Sequence, residues 1–231
     1  MSSALALFSR RADSYARFIR LVLYPQGIRS YFLHAPFLRS GLRVLDAGCG
    51  TGAITFALRE ALIRRGLAPG TTHAFDLTPA MLDRFHDGLR AREITGVDTA
   101  RADVLELDAL PRSWKGYDLV VSASMLEYVP RERLAAAIGG LRNLLAPGGR
   151  FVLFITRRNL LTRPLIARWW QGNLYDEHEL SAAFRLVGFE RFCFGAFPLT
   201  AAHLSLWGHI VEASTSSSLN WGHPCDTIEL E

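Results

Sequence analysis

The sequence predicts an α/β fold: a mostly parallel sheet of seven strands flanked by helices, with a helical cap at the N-terminus. Two observations predict it. Short apolar runs bounded by turn residues alternate with amphipathic stretches, the pattern of a parallel sheet with crossover helices. The first clear run also ends in a glycine-rich turn, Gly48-Cys49-Gly50-Thr51-Gly52, before a helical pattern begins. At 231 residues, with 49% hydrophobic and 21% charged residues, the chain suits a single buried core. The expected division is a helical cap over 1–40, a ligand-binding domain over 41–213, and a poorly ordered tail over 214–231.

Residues 1–40 read as one or two helices with too little apolar content for a domain of their own. They are expected to pack at the C-terminal edge of the sheet. Leu42–Ala47 is the first strand, and Ala53–Arg65 repeats apolar residues at helical spacing (Ile54, Ala57, Leu58, Ala61, Leu62). Thr71–Asp76 is a second strand, and Thr78-Pro79 caps and opens a helix running to about Arg92. Val97–Ala102 is a third strand with little hydrophobicity behind it, and Tyr117–Ser122 a strongly apolar fourth. A helix is expected from Pro130 to Leu145, broken by Pro147-Gly148-Gly149, followed by a fifth strand over Arg150–Thr156. Tyr175–Val187 reads as a helix, and Phe189–Ala196 and His209–Ala213 as two last strands.

The formal net charge is +4, unevenly placed. Residues 1–43 hold seven arginines against Asp13 alone, and residues 156–175 hold four arginines and no acid. Two such segments suit an anionic substrate or peripheral contact with a membrane surface, or are simply solvated. No apolar run approaches the ~20 residues needed to cross a bilayer. Arg10, Arg11, Arg17 and Arg20 interrupt the first apolar stretch, unlike a secretory signal. The arginine-rich start is compatible with a mitochondrial presequence, but it runs without a break into the first strand, so cytoplasm is the expected compartment. Cys49, Cys193 and Cys225 show no metal-ligand or disulfide spacing, which fits a reducing environment; no metal is expected.

Glycines after a strand allow positive φ and let a ligand approach the backbone. The turn alone is a weak signal, since with Ala53 it also satisfies the dinucleotide fingerprint G-x-G-x-x-G/A. Three carboxylates narrow the choice. Asp46 lies two residues before Gly48, where it repels a pyrophosphate but tolerates an ammonium or a sulfonium. Asp76 ends the second strand, where a carboxylate can accept from both ribose hydroxyls of either cofactor. Asp103 follows the third strand beside apolar Val104, suited to an adenine amino group and its ring. Together they describe a site for an adenosine joined to a cationic amino acid. Taken singly, Asp46 or Asp76 could instead cap the helix that follows it, and Cys49 reads as small packing in the turn.

VLDAGCGTG, AFD, ADVLELD, YDLVVSASMLEYVP and LLAPGGRFVLF, in that order over about residues 43–156, resemble the successive motifs of class I S-adenosylmethionine-dependent methyltransferases, a Rossmann-like family. The resemblance implies that Asp46, Gly48, Cys49 and Gly50 surround the methionine part of S-adenosyl-L-methionine. It further implies that Asp76 holds the ribose, Leu77 and Met81 line the adenine, and Asp103 with Val104 fix its amino group. It places Ser122 near the methionine end, with Glu127 beyond it. RRADSYARF is similar to an A-x-x-Y segment of ubiquinone/menaquinone-type methyltransferases, which implies Tyr15 over the cofactor.

Methyl transfer is an in-line displacement in which positioning and exclusion of water carry much of the rate. The sequence singles out no catalytic base. Tyr24, Phe32, Trp169, Trp170, Tyr175 and Phe197 are candidate aromatic walls; Arg157, Arg158, Arg163 and Arg168 are a candidate anion clamp. His178 is a base candidate or a surface residue in the first turn of its helix. A small hydrophobic or aromatic acceptor is expected, quinone-, lipid- or natural-product-like. Ser122-Ala123-Ser124-Met125 lacks the N/D-P-P-Y-type tetrad of base methyltransferases, which argues against a nucleic-acid substrate despite an isoelectric point near 9.2. A protein that binds the cofactor without transferring methyl, an enzyme using the cofactor otherwise, and an NAD(P)-binding oxidoreductase remain as alternatives.

Overall fold

The computed structural model describes residues 24–159, 172–189, 191–215 and 226–227. In chain order these form α1 (Tyr24–His34), β1 (Val44–Ala47), α2 (Ala53–Arg64), β2 (Thr72–Asp76), α3 (Pro79–Ala91), β3 (Val97–Arg101), β4 (Tyr117–Ala123), α4 (Leu134–Arg142), β5 (Leu145–Thr156), α5 (Glu177–Leu186), β6 (Arg191–Gly195), β7 (Gly208–Ser214) and β8 (Asp226–Thr227). The strands form one eight-stranded sheet in the order β3-β2-β1-β4-β5-β7-β6-β8. The first five in the chain are parallel, whereas β7 runs antiparallel between β5 and β6, and β8 antiparallel to β6. The chain leaves β1 towards β2 and β3 and then returns to β4 on the other side. The C-terminal ends of β1 and β4 therefore flank a topological switch point, where open α/β sheets bind ligands.

β1 is buried on both faces, as expected of a central parallel strand. Leu45 and Ala47 join Val120, Phe151 and Leu153 beneath α4 and α5. Val44 joins Leu119, Val121, Val152 and Phe154 beneath α1 and α2. β3 has no fully buried residue, which matches its weak apolar signal and its place at the sheet's edge. Asp176 and Glu179 close a capping box at the start of α5, satisfying two backbone N–H groups that the helix cannot.

Several expectations are corrected. Only the start of α1, through Tyr24 and Ile28, reaches the C-terminal edge; the rest lies across a sheet face beside α2. Gly27, Ile28, Tyr31 and Phe32 make one buried stripe, and that stripe must cover the sheet. A Cβ on Gly27 would overlap Leu204, so glycine is what lets α1 approach the Leu199–Leu206 segment. Pro147-Gly148-Gly149 does not separate helix from strand, because β5 already begins at Leu145. The pairing slips between Tyr117 and Leu119, and Gly149 lies against the Tyr117 carbonyl where a Cβ would not fit. Within the tail, Asp226 and Thr227 pair with Phe194 and Cys193 as an eighth strand. Cys193 is disulfide-bonded, against the expectation from spacing, whereas Cys49 is a free, buried thiol. Tyr15, Arg163, Arg168, Trp169 and Trp170 lie outside the described residues.

Candidate functional site

A cleft with an empty volume of about 1060 Å³, open mouth included, lies at the C-terminal ends of β1, β2, β3 and β4. Each strand contributes the residues just past its end: Gly48–Thr51 after β1, Asp76–Thr78 at β2, Ala102–Val104 after β3, and Ala123–Met125 with Tyr128 and Val129 after β4. Tyr24 and Ile28 from α1, and Ile54 from α2, complete the wall.

The glycine turn is built for close approach. Gly48, Gly50 and Gly52 have φ of 73°, 52° and 87°, a region L side chains avoid. A Cβ on Gly48 would enter the Met125 side chain, and one on Gly52 the Phe85 ring. Gly50, which lines the cleft, differs: a Cβ there would meet nothing within 4 Å. Its N–H donates to Asp76 Oδ2 at 2.9 Å, and Thr78 N–H donates to Asp76 Oδ1 at 2.8 Å. Asp76 thus ties the turn after β1 to the start of α3. Burial pushes its pKa up, opposed by those backbone bonds. Asp103 Oδ1 accepts from Leu105 N–H at 2.9 Å, which leaves Oδ2 for a ligand.

Asp46 is not on the cleft wall. Its Oδ2 accepts from Thr55 N–H at 3.1 Å and from Thr55 Oγ1 at 2.7 Å, inside the first turn of α2. This is the capping alternative, reached from the preceding strand. Its Oδ1 is buried without a hydrogen-bond partner, and burial raises the carboxyl pKa to about 7. Ser122 also misses the wall. It is fully buried between Ala47 and Leu153, because β4 runs one residue further and Ser124 is the serine that clears the sheet. Ser124 has φ 53°, a costly conformation for a non-glycine residue of ~1 kcal/mol or more. Its Oγ donates to the Tyr24 hydroxyl at 3.3 Å.

Of the expected contacts, Gly48, Cys49, Gly50, Asp76, Leu77, Met81, Asp103 and Val104 are all brought to the one cleft. Glu127 is buried behind it, accepting from Thr156 N–H at 3.0 Å, with its pKa raised by burial. Of the aromatic candidates, Tyr24 lines the cleft; Phe32, Tyr175 and Phe197 are core residues. Arg157 pairs with Glu177 at 3.4 Å, and Arg158 pairs with Asp176 and with Glu179, so neither lines the cleft as a clamp. In the N-terminal basic segment, Arg29 pairs with Glu60 and Arg39 with Asp118. His178 is exposed on the first turn of α5, away from the cleft. Ser124, Met125, Tyr128 and Val129 were not singled out as contacts; the signal available was the YDLVVSASMLEYVP run that carries them past β4.

A methyltransferase-domain family profile matches residues 44–149, from β1 into β5. A ubiquinone biosynthesis O-methyltransferase from Psychrobacter arcticus is 36% identical over 121 residues, 52% of this chain and 43% of that protein. A carboxy-S-adenosyl-L-methionine synthase from Ectopseudomonas mendocina is 32% identical over 161 residues, 64% of this chain and 62% of that protein. The chain thus spans less than two thirds of the length of these curated relatives. Among solved structures, magnesium protoporphyrin IX methyltransferase from Synechocystis with bound SAH superimposes with a TM-score of 0.65 at 21% identity, covering 86% of this chain and 85% of that one.

Proposed function

We propose that this chain, which has the fold of the class I S-adenosylmethionine-dependent methyltransferases and is related to their ubiquinone/menaquinone-type and small-molecule members, transfers a methyl group from S-adenosyl-L-methionine to a small hydrophobic or aromatic acceptor. The observation that carries the reading is one cleft with two characters. Carboxylates at the ends of β2 and β3 face one part of it, and an apolar wall from α1, α2 and the loop after β4 encloses the rest.

The residues fit the cofactor. Asp76 retains acceptor capacity for ribose hydroxyls, and Asp103 Oδ2 for an adenine amino group with Val104, Leu77 and Met81 around the ring. Gly50 leaves the backbone open to the methionine part, and Gly48 and Cys49 line the cleft beside it. When bound, S-adenosyl-L-methionine supplies a sulfonium methyl group whose positive charge is neutralised as the methyl leaves. Ile28, Ile54, Met125 and Val129 keep that end of the cleft apolar, which excludes water and favours loss of charge. The same wall holds the acceptor in line, and orientation of this kind is worth several powers of ten in rate.

The test is incubation with methyl-labelled S-adenosyl-L-methionine and a panel of phenolic, quinol and carboxylate acceptors, read by mass spectrometry. A labelled acceptor with stoichiometric S-adenosylhomocysteine is expected. The carboxy-S-adenosyl-L-methionine synthase relatives favour a second reading, in which the nucleotide itself is modified. A nucleotide heavier by a carboxyl group, formed only when a carboxyl donor is supplied and with no acceptor labelled, would decide for that alternative.

A further inference from the structure

The part of the cleft opposite the carboxylates carries the Ser124–Tyr24 hydroxyl pair, with Tyr128 on the same loop after β4. Ser124 follows the C-terminal end of β4, two strands from Asp76, a separation of ~10 Å at the usual strand spacing. It cannot serve the group that Asp76 serves. Its neighbour Met125 packs on Gly48, so Ser124 belongs to the end of the cleft assigned above to the reacting methyl. Its backbone is held by a bond from Ser124 N–H to the Phe154 carbonyl at 2.9 Å, and its φ of 53° turns the chain out of the strand. Around it stand Ala123, Met125, Val129, Ile28 and Ile54.

A serine hydroxyl has one proton to give and two lone pairs to receive with. Here the proton goes to the Tyr24 oxygen at 3.3 Å, so Ser124 offers the cleft lone pairs only. We propose that Ser124 positions a neutral acceptor that carries its own hydrogen-bond donor, a phenolic or similar O–H, by accepting that proton, and that Tyr24 sets this preference by fixing the serine proton. An oxyanion at the same place would meet the Ser124 lone pairs, a repulsion that a neutral O–H avoids. The inference rests on the methyl-transfer reading and narrows its substrate class from any hydrophobic acceptor to one that enters un-ionised.

The probe is 4-nitrophenol, whose phenolate alone is yellow, titrated against pH in the presence of the protein saturated with S-adenosylhomocysteine. The bound phenol should ionise about one unit higher than in solution, equivalent to ~10-fold tighter binding of the neutral form. Ser124→Ala should weaken binding of the neutral phenol about fivefold or more, the worth of one hydrogen bond. Ser124→Gly, suited to the left-handed backbone, repeats the measurement should the alanine variant not fold. Tyr24→Phe frees the serine proton, so the bound phenol should ionise at lower pH than in the unmodified protein, a shift that loss of packing alone would not produce. Preferential binding of the phenolate, an unmoved ionisation in Tyr24→Phe, or unweakened binding in both Ser124 variants would overturn the inference. If S-adenosylhomocysteine binds but 4-nitrophenol does not, this inference fails alone; if neither binds, the methyl-transfer reading fails with it.

Discussion

Replacing Asp76 with alanine should separate binding from folding at the ribose end of the cleft. In the structure the carboxylate already accepts two backbone donors, Gly50 N–H at 2.9 Å and Thr78 N–H at 2.8 Å. The carboxylate lines the cleft, where it is expected to accept from a ribose hydroxyl. Losing hydrogen bonds to a charged acceptor costs ~1–3 kcal/mol of binding, which is about 5- to 150-fold in Kd. The two backbone donors are orphaned as well, at ~1–2 kcal/mol of stability. Asp76→Asn, which keeps one acceptor oxygen, should fall between. Calorimetric titration with S-adenosylhomocysteine measures the first quantity and urea denaturation the second. A 2′,3′-dideoxy analogue supplies the control, since the alanine variant should discriminate against it less than the unmodified protein does. An unchanged Kd for S-adenosylhomocysteine in a folded Asp76→Ala variant would refute the ribose contact.

Gly50→Ala should lose at least tenfold in nucleotide affinity while costing only ~1 kcal/mol of stability, because Gly50 lines the cleft and its Cβ would touch no protein atom; equal affinity would mean that the ligand does not approach this turn. Asp46 has a folded-state pKa of about 7, above the ~3.9 of an unfolded aspartate. Between those values the unfolded chain has lost this proton and the folded chain retains it, so the site's contribution makes stability fall as pH rises, by at most ~1.4 kcal/mol per unit. Asp46→Asn should flatten that slope in denaturation curves taken at several pH values, and an identical slope would contradict the assignment. Arg150→Met should destabilise by ~3–5 kcal/mol, since it strips a partner at 2.6 Å from the fully buried Glu212. Arg29→Met, which breaks the half-exposed pair with Glu60, should cost under ~1 kcal/mol in the same assay.

The ligand end of the sheet was legible because in a parallel sheet functional residues stand just past strand ends, and strand ends are written locally in apolar runs. Asp76, Asp103 and the glycine turn could be placed from that rule alone. Asp46 reads two ways from the sequence, because a residue at a strand's last turn can face the ligand or the following helix; Thr55 engages its Oδ2 from the helix side. Ser122 and Ser124 show the same sensitivity: one further residue in β4 exchanges which serine reaches the cleft. Arg157 and Arg158 looked like an anion clamp because their partners on α5 lie about twenty residues away, in a geometry that only the return of the chain creates. Pro147-Gly148-Gly149 reads as a breaker locally, yet the sheet absorbs it as an irregularity where β5 approaches Tyr117. Tyr24 was recognised as an aromatic wall, but its link to Ser124, a hundred residues on, is a tertiary fact.

The most direct test of the central claim is calorimetric titration of the purified chain with S-adenosyl-L-methionine and S-adenosylhomocysteine, with NADH as the control. Binding of both sulfur nucleotides and none of NADH is expected from the carboxylates at β2 and β3 and the open turn at Gly50. Binding of NADH with neither sulfur nucleotide would contradict it.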